Sequence, residues 1–527
     1  MSINSQRNSC EINKDINEVK KTLESIFSVP DNFDFIIRDF EIRFDNGSVH
    51  ALLTFYDGLV NQTLINRDIM RSLTNSCGNI PDSDNLDDMI FKKMITLAPL
   101  TAENDMNTAV EMLTFGHCVI FVDGCSSCFA ADVIGWNSRS IGEPENEPSL
   151  SGPQEAFNEV IMTNLALIRK ILKDPSLVAE NIKVGRTSQT PCAMMYIEGI
   201  TNKKLVGEVR RRLNMIDTDY IFSSADIEFL IETTTFSPIT RTLKTERPDR
   251  AASMLAEGKV VIIVQGSPYV LVLPTTAADL IEASEDNYVR VPEANLMRLV
   301  RLVGMGISIF LPGLFIAVML FHPEILPTDL LLAIEASREV VPFPLVVELV
   351  LMELAFELIK EASVRVPGAV GSTLGIIGGL ILGQSAVEAN IVSPISIIVV
   401  SIAGLGAFTA PTSSVSRSLA LVRFIFIVSG AIAGILGFSC TLIALTAHLA
   451  ASSSFGVPFL SPITPRNGDS VTDIVMVKPI WKKETRPKNL KTQNSVRQPH
   501  ISRKWMVLVF CCPFFEKNNI LSKKQTI

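Results

Sequence analysis

Apolar positions follow two regimes along the chain. Up to about residue 298, short apolar runs alternate with charged residues, as in a soluble α/β chain. Beyond it, long uncharged stretches recur, Leu302–Phe321 being the first.

In the first regime the runs come in matched pairs. EMLTFGHCVIFVDG (Glu111–Gly124) aligns without gaps with SMLAEGKVVIIVQG (Ser253–Gly266) at an offset of 142, setting Gly116 on Gly258 and Gly124 on Gly266. Each reads as a helix stopped by glycine, an apolar strand, a glycine turn and a second strand, Cys128 to Ile134 or Tyr269 to Pro274. An earlier pair at an offset of 141 sets Gly58 on Gly199 and Asn61 on Asn202, a strand ending at Asp/Glu-Gly before a helix. The order strand, helix, helix, hairpin thus occurs twice. It predicts two related α/β subdomains, residues 30–140 and 178–290, after a flexible 1–29. In the connecting region 141–177, Phe157, Val160, Ile161, Leu165 and Ile168 predict one apolar helix face that joins or packs the halves.

The second regime, residues 299–450, predicts an α-helical multi-pass membrane domain behind a duplicated cytoplasmic α/β domain. Arg298 and Arg301 place the start of Leu302–Phe321 on the cytoplasmic side. Three further spans are expected: Val366–Val387, Ile391–Pro411 and Phe424–Ala450. Gly375, Gly379 and Gly383 give the first of these a small-xxx-small spacing that lets helix backbones approach. Gln384 and Glu388 near its end either line a polar ring or hydrogen-bond a neighbouring helix.

Pro342–Ala362 is different. Glu353, Glu357 and Glu361 repeat every four residues on one helical face, with Glu348 rotated from it. Carboxylates are costly in hydrocarbon, so this helix lies at the interface or turns its acidic stripe toward water, a partner cation or a pore. Four crossings without it put both termini in the cytoplasm; a fifth would send the tail outside.

Composition sharpens the picture. Mean hydropathy is +0.32 over 527 residues, and the net charge of −8 hides a basic tail: residues 464–527 hold 13 Lys and Arg against four Asp and Glu. Such a tail suits an anionic, cytoplasmic membrane surface; no folded basic module points to nucleic acid. The polar start MSINSQRNSCEINKDINEVKK lacks a signal-type apolar core, so the α/β region is expected to stay cytoplasmic. Nine scattered cysteines read as reduced thiols. Cys125 and Cys128 form a CxxC beside His117 and Cys118, a redox pair or half a zinc site at most; the equivalent turn Gly266-Ser267-Pro268 has no thiol, so turn chemistry accounts for it. Arg247 and Asp249 in TERPDR are candidates to bind a ligand, but with Glu246 and Arg250 they read equally as a surface ion-pair cluster, and a subunit or lobe contact is favoured for the stretch. No catalytic or cofactor motif is legible, so no enzyme, metal or cofactor is expected.

Four strings, in this order, resemble the A subunit of the GerA-type spore germination receptors: GPQEAFNEVIMTNLALIRK, LKTERPDRAASMLAEGKVVIIVQGSPYVLVLPTT, PFPLVVELVLMELAFELIKEASVRVPGAVGSTLGIIGGLILGQSAVEANIVSP and SFGVPFLSP. The resemblance implies a nutrient-sensing complex in the spore inner membrane, with a permease-like B subunit that recognises the nutrient and a lipoprotein C subunit. It also implies a homo-oligomer, a pentamer, around an ion-conducting pore. Glu348, Glu353, Glu357, Glu361, Gly375, Gly379, Gly383, Gln384 and Glu388 are then the candidates for pore lining or coupling. A non-conducting scaffold is the alternative.

Overall fold

Two five-stranded antiparallel sheets are built by the same local grammar. In a computed structural model, which describes residues 10–44, 47–74, 94–95, 100–135, 142, 144, 146–147, 149, 151–233, 237–365, 383–465 and 476–498, the first sheet contains β1 (Phe35–Phe44), β2 (Gly47–Tyr56), β3 (Leu100–Glu103), β4 (Cys118–Val122) and β5 (Cys128–Ala131). Its order is β1-β2-β4-β5-β3. The second contains β6 (Leu177–Val184), β7 (Thr190–Ile197), β8 (Leu243–Thr245), β9 (Val260–Val264) and β10 (Val270–Leu273), in the matching order β6-β7-β9-β10-β8. Register is kept as well. Thr54 faces Val119 where Met195 faces Val261, and Ile120 faces Phe129 where Ile262 faces Leu271. Gly116 and Gly258, both at φ +98°, end the helices that precede β4 and β9, a left-handed turn that glycine makes without strain.

Helices cover both faces of each sheet. The first has α1 (Ile16–Ile26) and α2 (Met106–Phe115) on one face and short helical turns between Gln62 and Thr74 on the other. α3 (Ile161–Ile171) joins the lobes, and the second sheet packs on α4 (Lys203–Asn214) and α5 (Ser224–Ile231) on one side, and on α3, α6 (Pro248–Ala256) and α7 (Ala277–Ile281) on the other. This two-sided cover buries all five residues of β9, which is why that strand is a continuous apolar run.

α3 starts later than its apolar spacing predicted. The Phe157 N–H donates to the Glu246 carbonyl (2.8 Å), and Asn164 clasps the Asn158 backbone at 2.9 and 2.6 Å, so the chain stays extended there and Val160 is exposed. Arg169 at the far end of α3 is buried and donates to Asp34 at 2.6 and 2.7 Å, to Asn32 (2.9 Å) and to the Leu177 carbonyl (3.0 Å), bolting the first lobe to β6. TERPDR is buried too, which corrects its reading as a surface cluster. Arg250 donates to Glu147 (2.5 Å) and to the Asp279 and Glu282 carbonyls, and Arg247 holds Asp249 and the Pro153 carbonyl.

From Val291 to Ala451 the described chain is mainly helical: α8 (Val291–Phe321), α9 (Thr328–Arg338), α10 (Leu345–Arg365), α11 (Pro394–Phe408) and α12 (Ser413–Ala451). α8 and α12 are long and apolar enough to cross a membrane; α11 is apolar but shorter. α12 is broken at Ala433 and Gly434, the latter at φ +60°, ψ −142°. The break is a reversal, because the Phe426 and Phe438 rings lie 4.9 Å apart across it. Two limbs result, 413–432 and 435–451, about 30 Å and 25 Å long at 1.5 Å per residue.

Candidate functional site

The second lobe and the helical bundle share one core. Met305 of α8 and Val415 and Leu419 of α12 pack in the same apolar cluster as Leu255 and Val261 of the lobe. This defines a near end of the bundle. Its polar counterpart is Asp286, which accepts from Arg298 (2.9 Å) and from Arg301 (3.1 and 3.2 Å). The two arginines that mark the start of the apolar stretch are thus fixed to the lobe. A cavity of about 340 Å³ lies beside this junction, between Ser223 and Ser267 of the lobe and Thr412, Ser413 and Arg417 of the bundle.

Glycines set the helix spacing. A Cβ on Gly313 would lie 2.7 Å from the Phe426 carbonyl and one on Gly430 would lie 2.6 Å from the Gly313 carbonyl, so α8 and α12 touch backbone to backbone. Gly406 meets the Gly304 carbonyl in the same way. At the far end Phe321 packs over Gly434, and Met319, Ile334 and Leu345 form a separate cluster. α10 therefore runs the full height, from Leu345 at the far end to Lys360, whose ammonium donates to Ser416 (3.0 Å) near the lobe.

Halfway along lies a buried charged seam. Arg423 donates to Glu353 at 2.7 Å, and both side chains are fully buried. One turn on, Glu357 stands 3.7 Å from the Arg423 guanidinium and 3.9 Å from Lys360. Among the described residues, Glu353 Oε1, Glu357 Oε1 and Arg423 Nε and Nη2 lack hydrogen-bond partners. A partly satisfied ionic network in an apolar bundle is high in energy, which makes this seam the candidate site.

The acidic candidates therefore divide. Glu353 and Glu357 share one partner, Arg423, on the first limb of α12. Glu348 is buried elsewhere: it accepts from the Ser393 N–H (2.6 Å) and hydroxyl (2.5 Å) at the N-terminus of α11, where a carboxylate also meets the helix dipole, and Arg338 approaches at 3.7 Å. Glu361 is exposed. Gln384 donates to Glu388 (3.0 Å), both exposed, and Gly383 lies near Ile397. Gly375 and Gly379 fall outside the described residues. The close-approach glycines Gly304, Gly313, Gly406 and Gly430 had been overlooked; the pair Gly430 and Gly434 carries the same four-residue spacing signal.

The CxxC does not form one site. Cys125 packs into the cluster on one face of the first sheet and Cys128 into the cluster on the other. No three His, Cys, Asp or Glu side chains gather as metal ligands among the described residues. Burial raises the Cys118 thiol, and pushes the Cys128 and Cys192 thiols up to about 12. Since only thiolate reacts, maleimide is expected to label Cys10 in the native chain, and Cys118, Cys125, Cys128 and Cys192 only in denaturant, as peptide mass spectrometry would read. Rapid native labelling of Cys125 or Cys128 would reopen a redox role.

Together these features define a class: a paired α/β region bolted to a helical bundle whose longest helices are apolar enough to enter a membrane and whose centre carries buried charge. The chain belongs to the Bacillus/Clostridium GerA spore germination protein family, whose profile matches residues 21–489. It is similar to "Spore germination protein KA" of Bacillus subtilis (strain 168), 37% identical over 485 residues, 92% of this chain and 88% of that one. "Spore germination protein A1" of the same organism is 37% identical over 407 residues, covering 77% and 84%. The crystal structure of the N-terminal domain of the A subunit of the Bacillus megaterium spore germinant receptor GerK3 is 26% identical, with a TM-score of 0.36, over 50% of this chain and 97% of that one.

Proposed function

We propose that the chain is the A subunit of a spore germinant receptor, a non-enzymatic transducer that turns nutrient recognition by a partner into ion release. In this reading it sits in the spore inner membrane with its α/β lobes cytoplasmic. It assembles as a pentamer with a permease-like B subunit and a lipoprotein C subunit. The observation that carries the reading is the Glu353–Arg423–Glu357 seam at mid-height of the bundle. α8 and both limbs of α12 connect that height to the second lobe, so motion of the lobe reaches the seam through stiff helices. Arg423 has two carboxylate acceptors on successive turns of α10, and a one-turn slip would exchange them.

The bundle heights also revise the expected topology. α10 traverses the bundle and α12 does so twice, so in this reading α8, α10, α11 and the two limbs of α12 all cross. The lobes and the tail lie on one side when the segment containing 366–382 crosses as well. Gly375, Gly379, Gly383, Gln384 and Glu388 then remain the candidates for the pore itself.

One observation favours the scaffold reading: Glu348, Glu353 and Glu357 all have partners within this chain, which leaves fewer carboxylates to form a ring. Reconstitution separates the two. The purified chain with its partners in liposomes is expected to pass cations on addition of nutrient, and a bulky residue at Gly383 to block the flux. Intact assembly without conductance would leave the scaffold.

A further inference from the structure

The tail completes the second lobe. In the first lobe the chain leaving β5 returns beside the turn after β2, where the Gly135 N–H donates to the Leu59 carbonyl (3.0 Å) and the Asn61 N–H to the Val133 carbonyl (2.8 Å). In the second lobe the chain leaves β10 in another direction, and the matching place is filled from the tail. The Gln493 N–H donates to the Ile200 carbonyl (2.9 Å), its side chain to the Thr201 carbonyl (2.6 Å), and Arg486 to the Ala256 carbonyl (2.9 Å). Val477 is tied to Asn295 at the base of α8 (2.6 Å).

Docking in this way forms a half-open cavity of about 380 Å³ between the lobe, the tail and Arg298. Eight of its lining side chains are Lys or Arg and four are Asp or Glu. Its carboxylates already face cations: Asp279 faces Lys259 (2.5 Å), Glu257 faces Arg497 (3.3 Å) and Glu282 faces Arg298 (3.4 Å). Lys482 and Lys483 have no ion-pair partner among the described residues, so the cavity carries surplus positive charge. Burial, and then the charge of Arg497, pull the Arg486 guanidinium below its ordinary value. Arg298 precedes Leu302, the first residue of the uncharged stretch, by four residues, or about 6 Å of helix. The surplus charge therefore lies at headgroup depth when α8 crosses a membrane.

We propose that this cavity binds a phosphate-bearing anion, the headgroup of an anionic phospholipid, held between the tail lysines and the buried arginines. The inference rests on the reading that α8 crosses the membrane. The occupant would bridge the tail, the second lobe and the base of α8, so lipid charge would set how tightly the lobe is held to the bundle.

The test uses the full chain in neutral detergent and phosphate-free buffer, with native mass spectrometry reading bound phosphatidylglycerol, phosphatidylcholine or inorganic phosphate. One phosphatidylglycerol per chain is expected, with no retained phosphatidylcholine. Replacing Lys482→Gln and Lys483→Gln together should weaken it about 30-fold, the worth of two lysines beside an anionic surface. The same change at Lys203 and Lys204, exposed on α4, should leave it unaltered. Continued protection of Cys192 from maleimide shows that the variant is folded. Phosphate binding lost in the variant, with phosphatidylglycerol no better than phosphatidylcholine, would keep the anion site and overturn the lipid as its source. Equal binding by variant and parent overturns the proposal. Alkaline carbonate extraction separates the failures: a chain that stays in the membrane but binds no anion defeats only the cavity, whereas a released chain defeats the membrane reading beneath it.

Discussion

Replacing Gly434→Ala is expected to destabilise the protein by roughly 2–6 kcal/mol, the sum of a backbone cost and a packing cost of about 1–3 kcal/mol each. The backbone cost arises because φ +60° with ψ −142° lies where side-chain-bearing residues are strained. The packing cost arises because the new Cβ would stand 2.8 Å from the Phe321 ring. Thermal unfolding in detergent should show a large fall in midpoint for Gly434→Ala. Adding Phe321→Ala should relieve the clash while leaving the backbone term, so the pair should recover part of the loss despite its own cavity. A Gly434→Ala protein as stable as the parent would mean that α12 does not reverse there.

Arg423→Leu is the second large effect. It strands Glu353 in a fully buried position, and breaking a buried ion pair from one side costs about 3–5 kcal/mol. Replacing both partners, Glu353→Leu with Arg423→Leu, removes the stranded charge. That double variant should regain most of the lost stability or exceed the parent, since apolar replacements of buried pairs are often neutral or better. The cycle also separates structure from function. A seam that only holds helices together predicts that the stable double variant still germinates spores, whereas a coupling seam predicts a folded, assembled receptor that no longer releases ions. Glu357→Gln, which touches only the longer approaches of 3.7 Å to Arg423 and 3.9 Å to Lys360, should change stability less than Arg423→Leu.

What the sequence disclosed depended on how local the cause was. The duplication was legible because glycines and apolar strands recur at offsets of 141 and 142, and the paired strands keep the register that those offsets demand. The strands β1, β3, β6 and β8 escaped notice because they lie at sheet edges: β1 alternates with charge, and β8 is three residues long. The acidic stripe followed from four-residue spacing, but its partner lies 70 residues away, and no periodicity announces a contact of that range. Phe424–Ala450 read as a single crossing because Gly430, Gly434 and Gly437 look alike in sequence; only packing against Phe321 and Ser429 distinguishes a reversal from close-packed helix. Of the proposed pore residues, Gly375 and Gly379 lie outside the described part of the chain.

The docked tail also bears on how the protein is made. Asn202 meets the Leu490 carbonyl across 288 residues of chain, and Gln493 meets Thr201 across 292. A ribosome delivers the second lobe long before the segment that completes it, with the whole bundle synthesised in between. The lobe therefore waits with these contacts unmade while the helices are synthesised, and the tail docks only after they have emerged.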